Sequence, residues 1–295
     1  MSVIEINHIT KDYGQGRGVF DVSFGVWRGE VLGFLGPNGA GKTTTIRQLM
    51  GFIKPDSGSL TIRGKDCFKK ADEIQKDVGY LPGEIAFIDT MNGMEFIRFI
   101  ARMKKMKDLG RAPELMEMFE LNPSGKLKKM SKGMKQKIGI VCAFMQDPKL
   151  LILDEPTSGL DPLMQNKFVE LILQEKKRGK TILMSSHSFE EVEKTCDRAA
   201  IIRGGKLAAV EEMERLRTGR KKIVQLELET AGMASDLADE FPGAGLQERT
   251  VTVKVGKEVD LLIKKASQYK VLDMEIRTQS LEEFFMHFYG GEENV

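Results

Sequence analysis

Gly36-Pro37-Asn38-Gly39-Ala40-Gly41-Lys42-Thr43-Thr44 is the stretch on which the fold of this chain turns. An apolar run, Glu30-Val31-Leu32-Gly33-Phe34-Leu35, leads straight into it, and Thr45 to Met50 continue from it as a helix. Strand, glycine loop and helix in that order, with GxxxxGK[ST] spacing, make a phosphate cradle, the P-loop. Backbone N–H groups must converge on the phosphate oxygens, and side chains there would block the approach. Gly36, Gly39 and Gly41 keep the backbone open and permit unusual φ. The following helix turns its positive end toward the anion. Lys42 adds a charge that can reach the β- and γ-phosphates of ATP, and the Thr43 hydroxyl can ligate Mg2+.

A second acidic site fits the first. Leu150-Leu151-Ile152-Leu153 ends in Asp154-Glu155. At a strand's C-terminal end, Asp154 can hold the Mg2+ through water, and Glu155 can polarise the attacking water. Apolar runs often end at acids; beside a P-loop the pattern becomes specific. His187 follows the next strand, Thr181 to Met184, and reads as a γ-phosphate contact on the same sheet edge. Ala199 to Ile202 forms a further apolar strand. Such strands alternating with helices indicate a mainly parallel sheet covered on both faces, an α/β core.

Outside this core the pattern changes. Val3-Ile4-Glu5-Ile6 and Val22 to Val26 alternate as strands, which predicts an N-terminal antiparallel β portion. Between them, Tyr13 to Gly18 is a glycine-rich loop whose GxGxG spacing is no dinucleotide fingerprint. Pro55 to Gly58 reads as a turn before a short strand, Ser59 to Ile62. From about residue 85 to 146 helical spacing takes over, at Met94 to Met103 and Pro113 to Glu120, so an inserted helical subdomain is expected. Its many Met residues are adaptable core filler. Thr218-Gly219-Arg220-Lys221-Lys222 looks like a linker, which divides the chain into residues 1–219 and a small α+β piece, 220–295. In that piece Val224, Leu226 and Leu228 alternate, as do Val251, Val253 and Val255. Helices are predicted over Asp260 to Ser267 and Leu281 to Phe288.

A net charge of +2 over 295 residues makes no case for a nucleic-acid partner. Residues 221–295 hold 9 basic and 14 acidic side chains, so the remainder is modestly basic, as suits a part that handles phosphate. Cys67, Cys142 and Cys196 lie far apart without metal-ligand spacing and read as buried thiols of a reducing cytosol. The longest apolar run, Ile138 to Met145, is well short of the roughly 18 residues of a membrane span. Met1 to Glu5 does not read as a signal peptide. Any work at a membrane is therefore expected to use another chain.

Taken with Met130-Ser131-Lys132-Gly133-Met134-Lys135-Gln136-Lys137, these motifs resemble the ATP-binding subunits of ABC transporters over roughly residues 3–216. That segment looks like a variant of the family's Leu-Ser-Gly-Gly-Gln signature, and Pro156 to Pro162 matches its D-loop. The resemblance implies that two such subunits, identical or not, sandwich two ATP molecules. Each nucleotide would lie between one subunit's P-loop and the other's signature. Ser131 and Gly133 would then touch the γ-phosphate across the interface, with Asp161 in the D-loop beside them and Tyr13 stacked on adenine. Ser131 also reads independently as a helix N-cap. Dimer closure and hydrolysis would drive a membrane permease, which places the chain at the cytoplasmic face of the cell membrane.

Two departures matter. The family usually has Gln after Tyr-Leu-Pro; here the run is Tyr80-Leu81-Pro82-Gly83-Glu84. Gly83 has no side chain to ligate Mg2+, so either Glu84 swings into the role or a water fills it. The signature has Lys132 for a Gly and Met134 for the Gln. Lys132 either adds charge near the γ-phosphate or belongs to a solvated basic face with Lys128, Lys129, Lys135 and Lys137. The C-terminal run Ser280-Leu281-Glu282-Glu283-Phe284-Phe285 resembles extensions in ATPases of the drug and antibiotic exporter group, which pair with separate permease chains. Its helix either packs on its own domain or meets a partner. Two other readings stay open: a soluble ABC-type ATPase that does not transport, and a nucleotide-binding regulatory module with weak hydrolysis. One ATP domain with a short linker, and no inserted coiled coil or zinc site, argue against the first. Glu155 and His187 argue against the second.

Overall fold

A computed structural model describes residues 2–256 and 259–284. They divide into two compact units, residues 1–213 and 214–295. In the first, β1 (Ser2–Asp12) and β2 (Gly18–Trp27) lead to β3 (Val31–Leu35) and α1 (Lys42–Leu49). Next come β4 (Ser57–Ile62), β5 (Lys65–Asp66), α2 (Ala71–Asp77) and β6 (Val78–Leu81). The helical stretch holds α3 (Gly93–Met103), α4 (Ala112–Met118), a 3-10 turn at Leu127–Lys129 and α5 (Lys132–Phe144). Then follow β7 (Leu150–Asp154), α6 (Pro162–Lys177), β8 (Thr181–Ser186), α7 (Phe189–Thr195), β9 (Arg198–Arg203) and β10 (Lys206–Glu212).

Two sheets result. The antiparallel one has the order β2-β1-β4-β5; the other runs β10-β9-β3-β8-β7-β6. In the latter all neighbours are parallel except β10, which returns antiparallel along β9. Every residue of β3, β7 and β8 is buried. Strands covered on both faces have no polar side to alternate with, which is why they read as unbroken apolar runs. Because β3, β7 and β8 are parallel neighbours, their C-terminal ends lie on one edge. The P-loop, Asp154-Glu155 and His187 all follow those ends.

The helical stretch is tied to the core by charge. Arg111, at the start of α4, meets Glu175 of α6 at 2.6 Å. Lys180 reaches the same carboxylate at 2.6 Å and Arg178 at 3.0 Å. Asp147 completes the cluster, paired with Lys180 and, at 2.8 Å, with Arg178. Glu175 is fully buried. Burial pushes its carboxyl up, but the adjacent cations Lys180 and Arg111 outweigh that and hold it below the ordinary glutamate range.

The sequence reading of Thr218 to Lys222 as a linker is corrected. Met213–Gly219 is a helix, α8, and Lys222 already opens β11 (Lys222–Leu228). Gly219 ends that helix, and only Arg220 and Lys221 lie between it and β11. β11 is followed by α9 (Ala231–Asp239), β12 (Gly245–Gln247), β13 (Thr250–Val255), α10 (Val259–Ala266) and β14 (Val271–Thr278). The four strands form an antiparallel sheet in the order β12-β13-β11-β14. Val224, Leu226, Leu228, Val251 and Val253 pack with Leu237 and Leu262 into a separate small core. β14 carries exposed Leu272, Met274 and Ile276, so burial does not mark it in the sequence as it marks β11. Of the helix expected over Leu281 to Phe288, Leu281 to Phe284 are helical; Phe285 to Phe288 lie outside the described residues.

Candidate active site

β3 ends at Leu35, and the chain turns tightly at Gly36, whose N–H donates to Ser186 O at 3.3 Å. A Cβ on Gly36 would sit 2.3 Å from Ile202 O, so no other residue fits without moving β9. Gly41 has φ +110, and a Cβ there would sit 2.5 Å from Val19 Cγ1. Gly41 caps α1 with backbone alone, leaving the first helical N–H groups without a side-chain partner. Gly36→Ala is expected to lower stability by about 1–3 kcal/mol and to abolish nucleotide binding. Thermal unfolding with and without ATP checks both effects: the parent gains stability with ATP and the variant does not.

Lys42 is buried, and its Nζ donates to Gly36 O at 2.6 Å and to Pro37 O at 3.1 Å. The same ammonium lies 3.1 Å from Glu155 Oε1, an ion pair without hydrogen-bond alignment. Glu155 Oε2 meets His187 Nδ1 at 2.7 Å. Lys42, Glu155 and His187 therefore form one connected chain of charge and hydrogen bonds across three strand ends. Glu155 holds φ +49, unusual for a residue with a side chain. Its backbone is pinned from both sides: its N–H donates to Ser185 Oγ at 2.9 Å, and Gln136 Nε2 donates to Pro156 O at 2.8 Å.

Asp154 is fully buried and accepts from Ser185 Oγ through Oδ1 at 2.6 Å. Its Oδ2 has no hydrogen-bond partner. An orphaned buried carboxylate oxygen is costly in the protein alone and fits a site that a cation completes. Among the described residues no cluster of three or more His, Cys, Asp or Glu could hold a metal by itself. That suits Mg2+, which is commonly held by one or two side chains plus substrate phosphates.

Ser131 caps α5, accepting from Met134 N–H at 3.2 Å. Gly133 packs so closely on the segment after Glu155 that a Cβ would sit 2.7 Å from Gly159 O. Lys132 Nζ donates to Ser158 Oγ at 2.9 Å, and its stem lies over Gly159. Its ammonium is thus tied to the neighbouring loop of the same chain. Asp161 caps α6 through Met164 N–H at 3.0 Å. Tyr13 is 48% exposed in the turn after β1, and Gly18 and Val19 beyond that turn pack on Gly41.

An ABC transporter family model matches residues 19–158. The linearmycin resistance ATP-binding protein LnrL of Bacillus subtilis (strain 168) is 32% identical over 98% of this chain and 98% of its own. The bacitracin transport ATP-binding protein BcrA of Bacillus licheniformis is 33% identical, again over 98% of each. The chain belongs to the ABC transporter family. Its fold is matched by an ATP-binding subunit of an ABC transporter, with a TM-score of 0.67 and 32% identity over 73% of this chain and 92% of that one. With that membership comes its activity: the chain is an ABC-type ATP-binding protein and ATPase.

For this ATPase the structure also gives contacts to residues to which the motif reading assigned no role of their own. Ser185 bridges Asp154 and the Glu155 backbone, and Gln136 reaches from the signature helix to the turn after Glu155. Both are ordinary polar residues in sequence; only the register of β7 against β8, which pairs Asp154 with Ser185, gives the serine its place. Gly83, read as a missing ligand, lies against the acid site: a Cβ there would sit 3.1 Å from Asp154 Oδ2. Glu84 lines a cavity of ≈ 670 Å3 together with Phe52, Tyr80, Pro82, Ile85 and Ile100.

Proposed function

We propose that this ATPase is the energy-converting subunit of an exporter whose membrane part is a separate permease chain. The observation that carries the catalytic side is the linked set Lys42, Glu155 and His187 at the ends of three parallel strands. Export draws its support from full-length similarity to LnrL and BcrA, named for linearmycin resistance and bacitracin transport. Among the described residues no helix is long and apolar enough to cross a membrane, so a permease would hold the chain at the cytoplasmic face.

In this reading Gly36 to Thr44 cradle the phosphates, and Lys42 moves from its loop carbonyls to the β- and γ-phosphates. Thr43 and Asp154 would hold Mg2+, which would neutralise phosphate charge. Glu155 polarises the attacking water, and His187, aligned by Glu155, contacts the γ-phosphate. Ser131 and Gly133 serve the nucleotide of a second ATP-binding subunit, with Asp161 in the loop beside them. Tyr13 stacks on adenine. The cavity beside Pro82 to Ala86, with apolar walls and charged rims at Arg47 and Lys104, suits a helix of the permease.

Glu84 lines that cavity, so a water is the better candidate for the place left by Gly83. Glu84→Ala should hydrolyse ATP with unchanged Mg2+ dependence; a higher Mg2+ requirement would give Glu84 the metal role. The reading as a whole is tested by purifying the tagged chain from membranes. A multi-span membrane protein should accompany it and stimulate its ATPase activity. Recovery with ribosomes, or alone in the soluble fraction, refutes the export reading.

A further inference from the structure

Ser188 caps α7, with its Oγ accepting from Glu191 N–H at 3.3 Å. Serine at the cap and glutamate three residues on is the capping-box pattern, in which the carboxylate accepts from the N-cap N–H. The protein builds that box on α3, where Asn92 N–H donates to Glu95 Oε2 at 2.7 Å. At α7 the box is not closed directly. Ser188 N–H donates to Ser186 Oγ at 2.9 Å, and Ser186 Oγ donates to Glu191 Oε2 at 2.6 Å. A hydroxyl from the turn that carries His187 stands between cap and acid.

The two glutamates also differ in burial: Glu95 is exposed, whereas Glu191 is only 7% exposed. Burial pushes the Glu191 carboxyl up to about 7, with Ser186 and Thr157 pulling down and the charge of Glu155 pushing up. Its Oε1 is buried without a hydrogen-bond partner. A buried acid so sparsely paired contributes less to stability than an apolar residue of its volume. Capping α7 does not call for it either, since Ser186 already takes the Ser188 N–H.

We infer that Glu191 is a positioning residue for ATP hydrolysis, holding Ser186, the residue before His187, through its hydrogen bond from Ser186 Oγ. The inference rests on the reading of Glu155 and His187 as the hydrolytic pair. Glu191 touches no reacting atom. It anchors the turn that carries His187, so losing it lets the Glu155–His187 pair drift out of line with the γ-phosphate.

The test is steady-state ATPase kinetics, ATP affinity and thermal unfolding of the full chain, for Glu191→Ala, Glu191→Gln and Ser186→Ala. Glu191→Ala is expected to lower kcat roughly 10- to 100-fold, the scale of a small misplacement at a reacting centre. ATP affinity should stay within about twofold of the parent, since the P-loop is untouched. Glu191→Gln, whose carbonyl still accepts from Ser186, should recover most of kcat. Ser186→Ala should share the deficit and add little to it in the double variant. As a control, Glu95→Ala opens the α3 box and should lower thermal stability with kcat unchanged. Parental kcat in Glu191→Ala overturns the inference. So does a joint fall of kcat, ATP affinity and thermal stability, the mark of a merely structural role. If Glu155→Gln turns over like the parent, the catalytic reading falls first; inactive Glu155→Gln beside a fully active Glu191→Ala removes this inference alone.

Discussion

In the Glu155→Gln variant ATP stays bound while turnover falls about 100-fold or more, the scale of losing a general base. The amide keeps the size of the side chain and can still accept from His187, whose Nδ1 lies 2.7 Å from Glu155 Oε2 in the parent. The backbone at φ +49, held by Ser185 and Gln136, has no reason to move. What disappears is the negative charge 3.1 Å from Lys42 and the capacity to draw a proton from water. Binding should survive, because the P-loop contributes it. With hydrolysis blocked, two subunits should remain closed on Mg·ATP. Single-turnover hydrolysis measures the first effect and size-exclusion chromatography with ATP the second. Parental turnover would remove Glu155 from its assigned role, and a parent that already traps ATP as a dimer would favour a binding module over an enzyme.

Glu175→Ala should cost about 3–5 kcal/mol of stability, as expected when one member of a buried ion cluster is removed. Its carboxylate is fully buried and serves Arg111, Lys180 and Arg178 together. Truncating it leaves Lys180 with Asp147 alone and Arg111 with Asp147 and the more exposed Glu114. Urea unfolding of parent and variant gives the difference, and a loss within about 1 kcal/mol would mean that solvent already screens the cluster. The same carboxylate gives a pH signature. Its folded pKa is depressed, so its stabilisation is present above the ordinary value of 4.5 and is lost as pH falls below that toward the folded value. Asp147, depressed by Lys180 and Arg178 against its own burial, acts in the same direction. Acid unfolding of the parent should steepen in that range, and Glu175→Ala should show less of the steepening.

Legibility in the sequence followed burial. β3, β7 and β8 are covered on both faces, so their apolar runs stand out without any knowledge of their neighbours. β6 and β10 are short or half-exposed and did not stand out; β6 takes its place by pairing with β7, and β10 by folding back along β9. α8 went unread because Gly219 and the basic residues after it mimic a linker, although the helix simply ends there. β14 shows apolar residues that remain exposed, so its alternation carries no sign of which face is covered.

The site divides in the same way. Gly36 to Thr44, Asp154, Glu155 and His187 were readable because phosphate chemistry demands those residue types at the ends of recognisable strands. Gly83 was readable only as a departure. That it presses on Asp154 became visible once β6 and β7 lay side by side. Lys132 had two open readings, charge near the nucleotide or a solvated face, and neither included its bond to Ser158. Ser185 and Glu191 had no reading at all, and Gln136 was read only as part of the signature segment, without a role of its own.

The P-loop spacing at Gly36 to Thr44 and the acid pair after β7 were legible in the chain alone, and they lead to the expectation that a nucleoside triphosphate is held there. Local geometry suffices for that, since a strand, a glycine turn and a helix N-terminus lie within one short stretch of chain. How Lys42, Glu155 and His187 connect, and what stands behind them, emerges from the folded arrangement alone. Glu155 lies far along the chain from Lys42 and on a different strand end from His187, and the distances between them follow from strand register and close packing, which no local pattern encodes.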